Sequence, residues 1–443
     1  MIKNINLKNF KAFESLNIEL RPLTFFLGPN NSGKSSILSA IRILSQTMES
    51  LDTNVPLLLN GSLGDFGTYK DVVFNNHRGK KLGIGITLSP IDHVLRRDIK
   101  EINVQLFFKY RSGRREVILH STELNVNGNP LIVTEYSIES EKQIIQKIGK
   151  KIVPSKLKSS FSKLLSFNNF LPHRIINRIE LNESVAEFLG NKEEKIFRSI
   201  SRVPFIFQRT FRNIEYVGAI RISPSRTFLY TGEGRASVGA NGQFAANILA
   251  LDAAKGGKRS RNIIQKVKKW LQQAGMASDI KVVSISDRHY EIKIQHPDSL
   301  EYQNYADVGF GHSQVLPILI AGNNIPQRGL FLVEQPEIHL HPKAQSELGD
   351  YFLQLHDDKV QSLVETHSEH LILRLQQHVI EGKINPKDII FYYVHSKDGK
   401  KTVKELELDE NGKFISDWPD GFFPERLYES KKIAQLRYKK SLE

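Results

Sequence analysis

The chain has no cysteine, only three methionines and two tryptophans, in 443 residues. Without cysteine there is no disulfide framework, no thiolate metal site and no cysteine nucleophile. No apolar run approaches the roughly 20 residues that span a bilayer, and the N-terminus lacks a signal-peptide layout. These absences suit a cytoplasmic protein with no membrane partner. No internal repeat recurs at about 20–50 residues, so a solenoid is excluded. Acid is missing from one long stretch: no Asp or Glu falls between Glu141 and Glu180. The same stretch carries Lys142, Lys147, Lys150, Lys151, Lys156, Lys158, Lys163, Arg174 and Arg178. The whole chain has a net charge of +14, and this segment supplies nine of those charges. Such an excess favours an acidic partner.

What is present begins at residue 23. Leu23-Thr24-Phe25-Phe26-Leu27 reads as a buried parallel strand, and Gly28-Pro29-Asn30-Asn31-Ser32-Gly33-Lys34-Ser35 fits G-x-x-x-x-G-K-[ST]. From Ser35 onward, Ile37, Leu38, Ile41 and Leu44 fall at helical spacing. A strand, a glycine loop and a helix N-terminus surround one anion with backbone N–H groups, backed by the helix dipole. Lys34 is expected to reach the outer phosphates of a nucleoside triphosphate, and the Ser35 hydroxyl to help hold Mg²⁺. A glycine turn without a ligand is the bland alternative, and the strand–loop–helix context argues against it.

Leu330-Phe331-Leu332-Val333 is a second buried strand, ending in Glu334-Gln335-Pro336-Glu337. The carboxyl edge of an open parallel sheet is where ligands bind, and an acid there is suited to Mg²⁺. Residue 335 is an amide, which cannot act as a general base but can orient water by hydrogen bonding. Ser362 to His367 is again a strand ending in polar residues, and His367 is placed to contact a γ-phosphate. On its own it would more often be a satisfied structural histidine, and its pairing with the two earlier motifs favours function. Asp307 to Gln314 is a glycine-containing turn opening a helix, a second anion-binding N-terminus or a simple cap at Ser313.

The chain is long enough for two or three domains, or one large α/β domain with an insertion. Four parts are expected. Residues 1–140 form an N-terminal lobe, with strands Ile2–Phe10, Leu16–Leu20, Leu82–Leu88, Ile102–Tyr110, Glu116–Leu119 and Leu131–Ile138 in an antiparallel meander. Residues 141–212 form a basic, mostly helical insertion, with Ile144, Ile145, Ile148 and Ile152, then Leu157, Phe161, Leu164 and Leu165, at helical spacing. Residues 213–395 alternate helix and strand, and residues 396–443 form a small C-terminal unit. The helix at Lys255–Lys269 is also basic, with Trp270 and Leu271 packed.

Together these residues resemble the ABC-type ATPase heads of RecF, SMC and Rad50, and within that group the bacterial AAA15 or OLD-like ATPases. Leu7 to Phe13 looks like their opening strand and turn. Gly28 to Ser35 looks like Walker A, Phe310 to Gln314 like a divergent ABC signature, Glu334 like the Walker B acid and His367 like the switch histidine. His339-Leu340-His341-Pro342 lies where the D-loop falls. The ending Asp417-Trp418-Pro419-Asp420-Gly421-Phe422-Phe423 is similar to a C-terminal domain of unknown function carried by such ATPases, including subunits of the antiphage systems Septu and PARIS.

The resemblance implies an α/β ABC-ATPase head: a P-loop parallel sheet core with an antiparallel β meander and a helical insertion. It implies ATP and Mg²⁺ as cofactors, with Lys11, Gly28, Pro29, Asn30, Asn31, Ser32, Gly33, Lys34, Ser35 and Ser36 around the nucleotide and Ser35 and Glu334 at the metal. Gln335, or Glu337 if its loop turns inward, and His367 are implied at hydrolysis. Gly311, His312, Ser313 and Gln314 would meet the ATP of a second subunit in a homodimer or higher homo-oligomer. Gln335 at the usual glutamate position implies slow hydrolysis. The expected role is therefore an ATP-gated sensor regulating a separate effector in antiphage defence. The alternatives are a RecF-like ATPase clamping DNA and an OLD-like nuclease. Nucleic acid, if bound, is expected at Lys147, Lys150, Lys151, Lys156 and Lys158; an acidic partner protein competes for that assignment.

Overall fold

The computed structural model of the protein describes residues 1–89, 99–174, 183–230, 237–255, 261–397, 399–418, 431–435 and 437. Arg178, residues 256–260 of the basic helix expected at Lys255–Lys269, and Pro419 to Phe423 lie outside the described residues. The fold is mixed α/β, and two sheets carry most of it.

The core sheet has six strands, in the order Ile214–Val217, Leu330–Glu334, Gln361–Glu365, Leu23–Leu27, Ile389–Lys397 and Lys400–Leu406. The first five are mutually parallel and the last is an antiparallel edge. Central strands of a parallel sheet are covered on both faces and so read as unbroken apolar runs. Phe26, Leu332, Leu363 and Tyr392 face one hydrophobic cluster, with Ile37, Leu38, Ile41 and Leu44 of the helix Lys34–Met48. Phe25, Phe331, Val333, Val364 and Phe391 face a second cluster. That cluster is built with helices Ala245–Lys255, Ile263–Ala274, Phe310–Asn324, Pro342–Asp357 and Glu369–Ile380. The period-two alternation thus divides each central strand between two cores.

The second sheet is an eight-stranded antiparallel meander, in the order 151–152, 142–148, 129–137, 116–126, 102–111, 82–88, 2–10 and 13–19. It corrects the expectation for the start of the insertion. Ile144, Ile145, Ile148 and Ile152 lie in the strands Lys142–Ile148 and Lys151–Ile152, not on a helix. A register shift between Ile145 and Lys147 inserts an extra residue at Gln146. A bulge puts both flanking buried side chains on one face at a spacing of three, which imitates a helical period. Helices do follow, at Ser155–Ser162, Glu183–Ser199 and Val203–Phe211, with a hairpin at Leu165–Asn168 and Leu171–Arg174 between the first two. Residue 396 falls inside the strand Ile389–Lys397, which pairs with Leu23–Leu27 in the core sheet.

Candidate nucleotide site

The site grows from the carboxyl edge of the core sheet. Gly28 leaves the strand at φ 128°, and a β-carbon there would stand 2.0 Å from the Val394 carbonyl oxygen. Only glycine fits such a conformation at such an approach. Asn31 also has positive φ, and its carbonyl accepts a hydrogen bond from Lys401 Nζ at 2.9 Å. Gly33, at φ 109°, precedes the helix Lys34–Met48, and no side chain caps that N-terminus. The first-turn amides of such a helix lack intrahelical partners and are suited to an anion. Pro29 and Asn30 are exposed, Ser36 is partly exposed, and the Ser32 hydroxyl is buried without a hydrogen-bond partner.

Lys34 is folded back into the loop. Its ammonium donates to the Gly28 and Pro29 carbonyls, both at 2.9 Å, and lies 3.7 Å from the Glu365 carboxylate. Burial lowers its pKa, and Glu365 opposes that shift. Ser35 is exposed, and its hydroxyl donates to Glu365 Oε2 at 2.7 Å. The two side chains that the motif offers to a nucleotide therefore converge on one buried acid, a residue given no role from sequence.

Glu334 stands in register beside Glu365 on the neighbouring parallel strand. Its carboxylate accepts from the Tyr216 hydroxyl at 3.0 Å and from Arg42 Nη1 at 3.2 Å. Arg42, on the loop's own helix, lies over the Tyr216 ring 3.7 Å from its centroid. Burial raises the Glu334 pKa, Arg42 opposes this, and the nearby Glu365 charge adds to it. Lys11 lies in the same neighbourhood, its ammonium 5.2 Å from the Phe66 ring centroid. Burial lowers its pKa first and Arg42 second.

The next turn is held in an uncommon shape. Gln335 has φ 45°, and its N–H donates to the Glu365 carbonyl at 2.7 Å. Arg221 Nη2 donates to the carbonyls of Glu334 and Gln335, at 2.7 and 3.1 Å. This arginine is only 6% exposed, and its Nε and Nη1 have no hydrogen-bond partner. Burial pushes it down to about 10, against the pull of Glu337, Tyr216 and Glu334. Glu337 does turn inward: it accepts from Thr366 Oγ1 at 2.8 Å and from the His367 N–H at 2.5 Å. Both of its oxygens thus brace the turn that carries His367, and burial raises its pKa. His367 is nonetheless exposed. Desolvation by the surrounding protein, with Lys34 second, pushes it down to about 4, so it is neutral at pH 7.

The signature segment opens the helix Phe310–Asn324 beside the turn after the acid strand. A β-carbon on Gly311 would lie 3.0 Å from the His339 carbonyl, and the Phe310 and His339 rings are 5.9 Å apart. Phe310 is 69% exposed, whereas Ser313 and Gln314 are buried within their own subunit. Ser313 Oγ donates to the Phe310 carbonyl at 2.8 Å, and His312 Nε2 pairs with the Met276 carbonyl at 2.9 Å. What this segment presents outward is the backbone at Gly309 and the Phe310 ring.

In the insertion, Lys147, Lys150 and Lys156 are exposed. Lys151 is also exposed but donates to the Phe188 carbonyl at 3.0 Å, and the partly exposed Lys158 donates to Gln146 Oε1 at 2.6 Å. Sequence reasoning also missed Arg42, Tyr216 and Arg221. Each is a lone residue far along the chain from its partner and carries no motif. Glu365 had a signal, since an acid ended a buried strand beside a polar turn. The Ser35 hydroxyl and the carboxylates of Glu334 and Glu365 are hard oxygen donors of the kind Mg²⁺ takes when phosphate and water complete its shell.

Known proteins match this chain in part or over most of its length. The OLD nuclease of Thermus scotoductus is 43% identical over 44 residues, which make up 10% of this chain and 8% of that protein. Among solved structures, an SMC head bound to the C-winged helix domain of ScpA has a TM-score of 0.49 at 13% identity, covering 92% of this chain and 98% of its own. The SMC head domain of Thermotoga maritima has a TM-score of 0.42 at 12% identity, covering 92% of this chain and 99% of its own. Residues 384–432 match a protein family of unknown function (DUF3696). Residues 1–372 match the AAA ATPase domain AAA_15, and the chain belongs to that family.

Proposed function

We propose that this ATPase binds Mg·ATP at Gly28–Ser36, hydrolyses it slowly, and uses the bound nucleotide to hold a homodimer or larger homo-oligomer together. The observation that carries the reading is the pairing of a complete phosphate loop with an amide, Gln335, where a general base would stand. Bound Mg²⁺ would neutralise charge on the β- and γ-phosphates. The chain's own residues do the rest. Lys34 leaves the loop carbonyls for the outer phosphates. Arg221 and the Glu365 carbonyl keep Gln335 in its left-handed turn, from which the amide orients water. Glu337 holds His367, which as a neutral imidazole donates a hydrogen bond to the γ-phosphate. The exposed Phe310 and the backbone at Gly309 support a contact with the nucleotide face of a second subunit.

A slowly hydrolysing, ATP-held assembly suits a cytoplasmic sensor controlling a separate effector in antiphage defence. The exposed Lys147, Lys150 and Lys156 favour a second reading, an ATPase that clamps DNA in the manner of RecF. An OLD-like nuclease has less support. Among the described residues, no group of three or more His, Asp or Glu is placed to hold a metal.

The test is mass photometry with and without Mg·ATP, alongside phosphate release, on wild type and Lys34→Ala. An ATP-dependent assembly abolished in Lys34→Ala, with slow turnover, is expected. Brisk turnover with an assembly indifferent to ATP overturns the proposal.

A further inference from the structure

The acid that the motif order assigns to the metal is not the acid that touches the phosphate loop. Glu334 gives one oxygen, Oε1, to both Arg42 and Tyr216, which belong to the protein and need not move when a nucleotide arrives. Glu365 is 6% exposed and has Lys34 as its countercharge, 3.7 Å away. A triphosphate that draws the Lys34 ammonium to its own oxygens takes that countercharge from Glu365. A buried carboxylate left without a cation is costly. The repulsion between Glu365 and Glu334, adjacent in register, then adds to the demand for a positive charge.

Ser35 points to where that charge goes. Its hydroxyl proton is already donated to Glu365, and its lone pairs remain available to a cation. A divalent ion beside Ser35 lies next to the carboxylate that holds the serine in place. One protein carboxylate and one hydroxyl, completed by phosphate oxygens and water, match the sparse protein share typical of a Mg²⁺ site at a nucleotide.

We propose that Glu365 is the carboxylate that compensates the divalent cation of bound Mg·ATP, while Glu334 is chiefly the anchor of Arg42. This rests on the ATP-binding reading above.

The experiment measures the affinity of a fluorescent ATP analogue in Mg²⁺ and in EDTA, for wild type, Glu365→Gln, Glu365→Asp and Glu334→Gln. Thermal unfolding serves as the folding control, and Mn²⁺ electron paramagnetic resonance reports directly on the cation. Wild type should bind more tightly in Mg²⁺. Glu365→Gln should lose about tenfold or more of that gain, bind at least as well as wild type in EDTA, and broaden or lose the protein-bound Mn²⁺ signal. Glu365→Asp, which keeps the charge but withdraws it, should fall between the two. Glu334→Gln should keep most of the metal dependence. Should Glu365→Gln bind more tightly by the same factor in both media, Glu365 is only a countercharge to Lys34 and the assignment is overturned. Full loss of metal dependence in Glu334→Gln alone overturns it equally. Wild type that binds no ATP in either medium refutes the ATPase proposal instead, a result distinct from both.

Discussion

Gly28 and Val394 approach so closely that a β-carbon on the glycine would lie 2.0 Å from the valine carbonyl oxygen. The contact joins the phosphate loop to the strand Ile389–Lys397. Gly28→Ala should therefore cost about 3 kcal/mol or more, since steric overlap adds to the strain of positive φ. Gly382 is the control, with φ 69° and nothing within 4 Å of a β-carbon. Gly382→Ala should cost only about 1 kcal/mol. Denaturant unfolding of both variants, with ATP affinity measured alongside, checks the difference. Equal costs would contradict the close approach.

Gln335→Glu should accelerate hydrolysis. A carboxylate held at φ 45° by Arg221 and the Glu365 carbonyl restores general-base catalysis, worth on the order of 10²-fold or more. Phosphate release at saturating ATP is the measurement, and the ATP-held assembly should shorten its lifetime in parallel. Unchanged turnover would mean that another group, Glu337 first among them, already serves.

Stability should depend on Glu215, on the strand Ile214–Val217. Its carboxylate accepts from Ser237 Oγ at 2.8 Å, Val238 N at 3.2 Å and Asn324 Nδ2 at 3.3 Å. Burial nevertheless pushes it from 4.5 up to about 7. The folded form keeps its proton where the unfolded chain has released it. Stability from this group is therefore full below about 4.5 and falls as pH rises towards about 7, by roughly 3 kcal/mol at most. Glu215→Gln should flatten that slope in melting temperature against pH. A parallel slope in the variant would assign it to other groups.

Exposed Lys147, Lys150 and Lys156 give the nucleic-acid reading a direct trial. Changing all three to Glu should weaken binding of a DNA duplex without regard to its sequence. The logarithmic salt dependence should fall by about 0.9 for each phosphate that is no longer neutralised. Fluorescence anisotropy across a salt series measures both. Identical slopes for wild type and the triple variant would remove these lysines from any such interface.

The phosphate loop and its flanking strand and helix were legible because their signals are contiguous: four apolar residues in a run of five, two glycines and a helical period within one short stretch. The acid strand and the His367 strand were legible for the same reason. Gln146 was not, because an extra residue in an antiparallel pair spaces Ile145 and Ile148 as a helix would. Partner choice was also hidden. Glu334 finds Arg42 across 292 positions and Tyr216 across 118, and nothing near residue 334 announces either. Ser313 and Gln314 show the limit of motif position, since a place in the chain does not tell which way a side chain faces.

The core sheet sets an order on synthesis. Leu23–Leu27 lies between strands contributed by residues 361–365 and 389–397, and the Ile2 N–H pairs with Gln361 across 359 positions. At about 5–20 residues per second, the ribosome releases the phosphate loop long before either flanking strand exists. The emerging chain must keep an apolar strand unpaired until the carboxyl-terminal third arrives. A ribosome stalled before residue 389 would therefore hold a chain with every residue of its phosphate loop but without the Val394 carbonyl against which Gly28 is shaped.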